Sequence, residues 1–146
     1  MSGKETRIFR GKLIAGLLKR SLWKDDAYAE LNGHLIQFKT EGFWKRKTQI
    51  LDIEGTKELG HIEYNSWKNS AIIIYEEKSY EWTFDSWMRK KWRIKCGEDQ
   101  AIYSKTSVWK NKGEIETDNI SPAIILAGLF VYGYYKRMAA AVAASS

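Results

Sequence analysis

The chain has 146 residues, a formal net charge of +6 and 44% hydrophobic residues, which suits a single domain with a substantial core. Its one cysteine, Cys96, excludes an intramolecular disulfide, and its one proline argues against flexible linkers. The positive excess lies in residues 1–24, which contain seven basic residues and one acidic residue. This segment favours an anionic partner such as lipid headgroups or nucleic acid, although lysines that only aid solubility would give the same pattern.

Two structures fit the N-terminal segment. Residues 7–24 can be drawn as a basic amphipathic helix, whereas the apolar run 13–18 is too short for a secretory signal. Against the helix, the sequence Gly-Lys-Leu-Ile at 11–14 resembles Gly-His-Leu-Ile at 33–36, and both lead into a tryptophan-lysine pair. The repeat therefore favours a strand at 12–18.

Five tryptophans recur at a nearly constant interval, with separations of 21, 23, 20 and 22 residues. Four of them are followed by lysine, and a turn signal lies between each successive pair. The repeated unit is a strand, a tight turn, a second strand and a tryptophan corner, and this periodicity decides the fold class. The five corner tryptophans are Trp23, Trp44, Trp67, Trp87 and Trp109.

The sequence between the turns predicts ten antiparallel strands. Asn32-Gly33 suits a two-residue hairpin turn, because both central residues must accept a positive φ, and Glu77-Lys78 marks a further turn. The run 79–84 alternates cleanly, whereas 71–75 does not and is expected to be covered on both faces. The predicted strands are 12–18, 27–31, 34–40, 48–53, 59–65, 71–76, 79–85, 91–96, 100–106 and 113–117.

A helix is predicted over 120–137, with Ser121 as its N-cap and Pro122 at the first helical position. Its apolar residues lie all round the helix, which is typical of burial in a protein core or in a membrane. The apolar stretch 120–135 is shorter than the ~20 residues of a usual membrane span, but tyrosines followed by lysine and arginine also suit a membrane interface. The alanine-rich tail 138–146 is expected to fray.

These elements predict a mainly β single domain over residues 1–146. About ten consecutive antiparallel strands curl, and exposed edges favour closure into a barrel of about 10–12 strands. A barrel of that width needs something to fill it. The helix 120–137 fits that requirement, so it is expected to thread the interior of a barrel formed by residues 10–118.

A meander of strands followed by an apolar C-terminal helix resembles the tubby C-terminal-like superfamily, which includes tubby proteins, phospholipid scramblases and LURP-one-related proteins. The local similarity lies in residues 48–55, where an Ile-x-Asp strand end precedes a turn with glycine, and in the return strand that begins Leu59-Gly60-His61-Ile62. The resemblance covers residues 10–137 and implies a closed barrel around a hydrophobic helix. It carries over no functional residue, because neither a phosphoinositide pocket nor a calcium site can be located in this sequence.

Catalytic and metal-binding patterns are weak in this chain. His34 and His61 each follow a glycine at the start of a return strand, without metal-ligand spacing to another histidine or to cysteine. Neighbouring acids such as Asp25-Asp26 and Glu76-Glu77 point to opposite faces when they lie on a strand, so they do not form an acid-base pair. We therefore expect a non-enzymatic protein without a cofactor or a bound metal.

The tryptophan-lysine corners are the candidate contact surface. A repeat places equivalent positions at equivalent heights, so the corners are expected to cluster at one rim, where tryptophan beside lysine suits a membrane surface. The alternative interpretation is that each tryptophan folds inward and closes its corner, with lysine merely solvated. The candidate residues are Trp23, Lys24, Trp44, Lys45, Arg46, Lys47, Trp67, Lys68, Arg89, Lys90, Lys91, Trp109 and Lys110.

Three functions fit these observations. The first is a β-barrel module that binds an anionic membrane surface or a protein partner, in a cytoplasmic protein peripheral to the membrane. The second is a nucleic-acid-binding barrel, in which bases stack on the aromatic rings. The third is a tail-anchored protein whose helix 120–137 leaves the barrel for a membrane.

Overall fold

The computed structural model describes residues 5–10, 13–20, 26–41, 47–85, 89–107 and 112–145. Eleven strands form one antiparallel sheet in which each strand pairs with its neighbours in sequence, and a helix follows them. The elements are β1 (Glu5–Arg10), β2 (Leu13–Arg20), β3 (Asp26–Leu31), β4 (His34–Glu41), β5 (Lys47–Asp52), β6 (Glu58–Asn65), β7 (Ser70–Tyr75), β8 (Lys78–Phe84), β9 (Lys91–Cys96), β10 (Asp99–Ser107), β11 (Lys112–Asp118) and α1 (Pro122–Ser145).

Tight hairpin turns set the register of the sheet. Asn32 and Gly33 have φ values of 52° and 83°, so the predicted two-residue turn with two positive φ angles is confirmed. Glu76 and Glu77 adopt the same region, with φ values of 49° and 66°, and the turn lies one residue before the predicted Glu77-Lys78. Two glutamates hold this turn without glycine, which costs conformational energy that the ladder between β7 and β8 must offset.

The ten predicted strands are all present, with ends that differ by at most two residues, and an eleventh precedes them. The sequence prediction missed β1 because it lacks a turn signal of the repeat and because its ladder shifts register between Ile8 and Phe9. Such a bulge breaks the alternation that would mark a strand. The amphipathic helix over 7–24 is wrong, since its described residues belong to β1 and β2.

β7 is covered on one face only, contrary to the prediction for residues 71–75. Ala71 and Ile73 are buried, whereas the side chain of Ile72 is 38% exposed and Ile74 is half-buried. The reason is that the sheet forms a single layer over the helix. Its inner face is dry, and its outer face meets solvent even where the sequence is continuously apolar.

The helix α1 is buried on every side. Each residue from Ala123 to Gly133 is buried, and eleven consecutive positions at 3.6 residues per turn cover all directions around a helix. Side chains from well-separated strands contact it: Phe38 stacks on Phe130 with ring centroids 4.6 Å apart, and Trp82 Nε1 donates to the Gly128 carbonyl over 3.2 Å. The sheet therefore curves around the helix, as the sequence predicts.

The two ends of α1 differ in how well the sequence located them. The helix begins at the predicted Pro122, where the Ser121 carbonyl accepts from the amides of Ile124 and Ile125. It continues to Ser145, eight residues beyond the predicted boundary at 137, through the segment expected to fray. Alanine has the highest helix propensity of all residues, which explains the extension.

The ladders run from β1 to β11, and no ladder among the described residues joins these two edge strands. The single antiparallel sheet and the C-terminal helix are therefore confirmed, whereas closure into a barrel is not part of the observed pairing. In a meander of eleven, β1 and β11 run in the same direction, so closure requires a parallel ladder, which is less stable per residue.

The meander places every second connection at the same end of the sheet. We call the end at which β2, β4, β6, β8 and β10 finish the tryptophan end, and the other the opposite end. Since α1 follows β11, it starts at the opposite end and runs toward the tryptophan end. There Tyr135 donates its hydroxyl proton to the carbonyl of Ser70, the first residue of β7, and Tyr134 stacks on Tyr64 near the end of β6.

Candidate functional site

The fold separates charge between the two ends of the sheet. The five stretches that join strands at the tryptophan end each contain one repeat tryptophan, and together hold seven basic and two acidic residues. The stretches that join elements at the opposite end hold two basic and four acidic residues. These formal charges are +5 and −2. The stretches are 21–25, 42–46, 66–69, 85–90 and 108–111 at the tryptophan end, and 11–12, 32–33, 53–57, 76–77, 97–98 and 119–121 at the opposite end.

Trp67 projects into solvent from the tryptophan end. Its side chain is 94% exposed, on the short turn between β6 and β7. The other two tryptophans that the structure describes, Trp82 and Trp92, are 0% exposed and pack against α1. At this corner the inward-folded alternative is wrong. A turn of four residues between adjacent strands is too short to fold the indole back under the sheet.

The lysines around Trp67 are exposed as well. Lys68 follows it on the same turn, and Lys90 and Lys91 lie at the next connection of this end, between β8 and β9. Neighbouring strands are ~4.8 Å apart, so the two connections lie about 10 Å apart along the rim. These four residues form an exposed patch, which we call the rim patch: Trp67, Lys68, Lys90 and Lys91.

Two of the predicted contact residues, Lys47 and Arg89, are less available for contact with a partner. Lys47 is half-buried and lies directly opposite Glu63 in the ladder between β5 and β6. Arg89 has a positive φ of 59° and its guanidinium lies 5.5 Å from the ring centroid of Phe84, against the protein itself. Both support the corner structure more than they extend the rim patch.

The remaining predicted contact residues lie outside the described residues. They are Trp23, Lys24, Trp44, Lys45, Arg46, Trp109 and Lys110.

Sequence reasoning missed a pair of arginines beside α1 at the tryptophan end. Arg20 donates from Nη2 to the Leu129 carbonyl over 3.1 Å, with its guanidinium 5.6 Å from the Phe130 ring. Arg137 donates from Nε to the Gly133 carbonyl over 3.3 Å and lies 6.0 Å from the same ring. A Cβ on Gly133 would overlap the Arg20 guanidinium, so glycine makes room for it. Linear sequence gives no signal for a pair that is 117 residues apart.

A chain of three hydroxyl groups crosses the neighbouring strands β4, β5 and β6 at the same end. Thr40 and Thr48 share a hydrogen bond of 2.8 Å, and Thr48 shares another of 2.8 Å with the Tyr64 hydroxyl. Burial raises the pKa of Tyr64 well above its ordinary value of 10.0, because the phenolate would be dry. Burial therefore keeps the Tyr64 hydroxyl neutral, although its hydrogen bond with Thr48 acts in the opposite direction and lowers the pKa.

Groups that could carry catalysis are scattered over the described part of the chain. His34 is exposed, and His61 Nε2 lies 3.7 Å from a Glu63 carboxylate oxygen on the outer face of β6. Within the described ranges, histidine, cysteine and acidic side chains form no group of three or more that could hold a metal ion. Cys96 is half-buried and packs at the edge of the core.

Comparison with known proteins gives no relative: no protein-family model, curated protein or solved structure matches the chain. Among the residues that the structure describes, no helix combines the length and the apolar character needed to cross a membrane.

Proposed function

We propose that the protein is a non-enzymatic β-sheet module that binds an anionic membrane surface through its tryptophan end. The observation that carries this proposal is the 94% exposure of Trp67 at the tip of a turn, in a protein whose other described tryptophans are fully buried. Exposing an indole to water is unfavourable, and a turn tip is where it can enter an interface without changing the fold. Tryptophan is enriched at the headgroup level of membranes for this reason.

The charge distribution supports a docking direction. The formal charge of +5 in the connections of the tryptophan end attracts anionic headgroups, and the −2 at the opposite end is repelled by them. Asp85, one of the two acids at the tryptophan end, is already paired with Arg93 at 3.0 Å. The protein is therefore a dipole that approaches an anionic surface with Trp67 leading.

We further propose that the sheet closes around α1 as a barrel of the tubby-like kind. Complete burial of the helix from Ala123 to Gly133 supports closure, because an open seam would leave one helix face wet. The uninterrupted order from β1 to β11 also suits it. Closure of eleven strands would bring β1 and β11 together in parallel, and edge pairing of this kind would remove the exposed edges.

The same geometry weighs against the other two functions. Single strands of nucleic acid bind where several aromatic rings form adjacent stacking platforms, whereas among the residues that the structure describes the rim patch presents one ring at a turn tip. A tail anchor requires α1 to leave the sheet, which would expose the inner face of every strand that packs on it. Nucleic-acid binding remains an outcome of the test below.

Vesicle binding tests the proposal. The chain should co-sediment with vesicles of phosphatidylcholine and phosphatidylserine, and much less with phosphatidylcholine alone. The double variant Lys68→Gln/Lys90→Gln should weaken binding about thirtyfold, since each lysine near the surface contributes ~1 kcal/mol. The matched control is Lys57→Gln/Lys78→Gln, which removes the same charge from exposed positions at the opposite end and should change affinity little.

Trp67→Ala separates the indole from the charges. It should weaken binding roughly ten- to hundredfold while keeping the salt dependence, because burial of a large apolar side chain contributes ~1.5–3 kcal/mol. Equal losses of vesicle affinity for the two double lysine variants would show that the vesicles attract the net charge of the protein and not a particular docking face. Tight binding to a single-stranded oligonucleotide with no vesicle binding would instead assign the surface to nucleic acid.

A further inference from the structure

The end of α1 leaves the sheet at the tryptophan end. Residues 123–133 are buried, Met138 is half-buried, and the residues from Ala139 to Ala143 are exposed, with the Val142 side chain at 67%. From Met138 to Ser145 the helix continues for eight residues, or ~12 Å at 1.5 Å per residue. An exposed helical segment therefore lies at the same end of the sheet as Trp67, the end whose connections carry the positive charge.

The composition of this segment changes abruptly at Arg137. Residues 138–144 read Met-Ala-Ala-Ala-Val-Ala-Ala, without a charge, and no acidic residue occurs after Asp118. The two cations that precede the segment point back toward the fold. Lys136 Nζ lies 5.0 Å from the Tyr132 ring centroid, and Arg137 donates to the Gly133 carbonyl. The order along the helix axis is aromatic rings, then cations, then an uncharged apolar end.

An uncharged helical segment at the basic end of the protein suits a membrane surface, because apolar residues enter the boundary between headgroups and acyl chains while neighbouring lysines attract anionic headgroups. The tyrosines and cations that precede the segment are engaged with the fold, since Tyr132 and Tyr135 are buried and Arg137 bonds to the Gly133 carbonyl. Trp67 and the lysines of the rim patch therefore supply the contacts at the headgroup level. The depth to which this segment enters a membrane is limited, because the last four carbonyls of a helix have no partner within the helix and must stay hydrated.

We infer that residues 138–145 of α1 enter the headgroup layer of an anionic membrane when the tryptophan end docks. This inference rests on the proposed function and adds to it a penetrating element and an orientation. The helix stands along the membrane normal, Trp67 and the lysines of the rim patch lie at the surface, and the acidic end points away.

A single labelled cysteine tests the inference in the folded, full-length chain. In a Cys96→Ser background, Val142→Cys carries the environment-sensitive dye NBD, and Glu54→Cys carries it at the opposite end, where the residue is exposed. With phosphatidylcholine–phosphatidylserine vesicles, NBD at 142 should shift to the blue, gain intensity and be quenched by spin labels near the headgroups. NBD at 54 should keep its aqueous spectrum.

An unlabelled pair gives an independent measurement. Val142→Asp places a negative charge in the segment and should weaken vesicle binding about tenfold, since it meets anionic headgroups. Asn32→Asp adds the same charge at the opposite end and should leave affinity unchanged, and both should keep the melting temperature because the sites are exposed. Co-sedimentation with an aqueous spectrum at 142 would overturn the inference and leave the docking proposal standing. Absence of vesicle binding would overturn both.

Discussion

At the scale of the residue, three described tryptophans have opposite roles that their neighbours in sequence only partly indicate. Alternation identifies Trp82 as a core residue, because it lies two positions from Tyr80 and Phe84 on the inward face of β8. The repeat located Trp67 at a corner but could not give its direction, since the same spacing serves a ring that folds in or out. Whether the ring points inward or outward depends on the length of the turn between β6 and β7. That length is known only once the pairing of the two strands is known.

The two buried indoles should respond differently to removal of the ring nitrogen. Trp82 Nε1 donates to the Gly128 carbonyl over 3.2 Å, whereas Trp92 Nε1 is buried without a hydrogen-bond partner among the described residues. Trp82→Phe should therefore lower the free energy of unfolding by about 1 kcal/mol more than Trp92→Phe. Urea denaturation followed by far-ultraviolet circular dichroism measures both, and equal losses would mean that the hydrogen bond contributes nothing.

At the scale of the element, the sequence predicted ten of the eleven strands and the start of the helix, because turns and alternation are local. It missed β1, where a bulge disrupts alternation, and it misjudged β7, because a continuous apolar run does not reveal that only one face has a cover. The end of α1 depends on alanine propensity rather than on apolar content, so a boundary drawn from hydropathy stops at 137. The tryptophan repeat predicted the residues of the rim patch as candidate contact residues. The contact of Arg20 with α1 is visible only in the structure.

Close packing between α1 and β9 should make Gly128 intolerant of a side chain. A Cβ at Gly128 would collide with Cδ1 of Ile94 and come within 2.8 Å of the Trp92 ring. Gly128→Ala should therefore destabilise the protein by ~1–3 kcal/mol, less the gain of about 1 kcal/mol in helix propensity. Adding Ile94→Val removes the colliding methyl group. The double variant should therefore lose less unfolding free energy than the sum of the losses for Gly128→Ala and Ile94→Val alone. Additive losses would show that Ile94 is not the obstacle.

At the scale of the whole molecule, stability should fall in alkaline solution because the core contains neutral tyrosines. Burial raises the pKa of five tyrosines above the ordinary value of 10.0, at positions in five different elements. In the unfolded chain each phenol ionises near pH 10, whereas in the folded protein it keeps its proton, so the unfolded state binds fewer protons above that pH. The stabilisation is complete below pH 10 and is lost progressively above it. The residues are Tyr64, Tyr75, Tyr80, Tyr103 and Tyr132.

Tyr64 allows this effect to be separated from general alkaline damage. Tyr64→Phe removes the hydroxyl that bonds to Thr48 over 2.8 Å, so it should cost about 1 kcal/mol at pH 8. It also removes one group that must stay protonated, and the loss of unfolding free energy between pH 9.5 and 11.5 should become shallower than in the parent chain. The two stability curves should then converge as pH rises. Curves that remain parallel would mean that Tyr64 ionises as readily in the fold as outside it, and that its burial against Tyr134 does not exclude water.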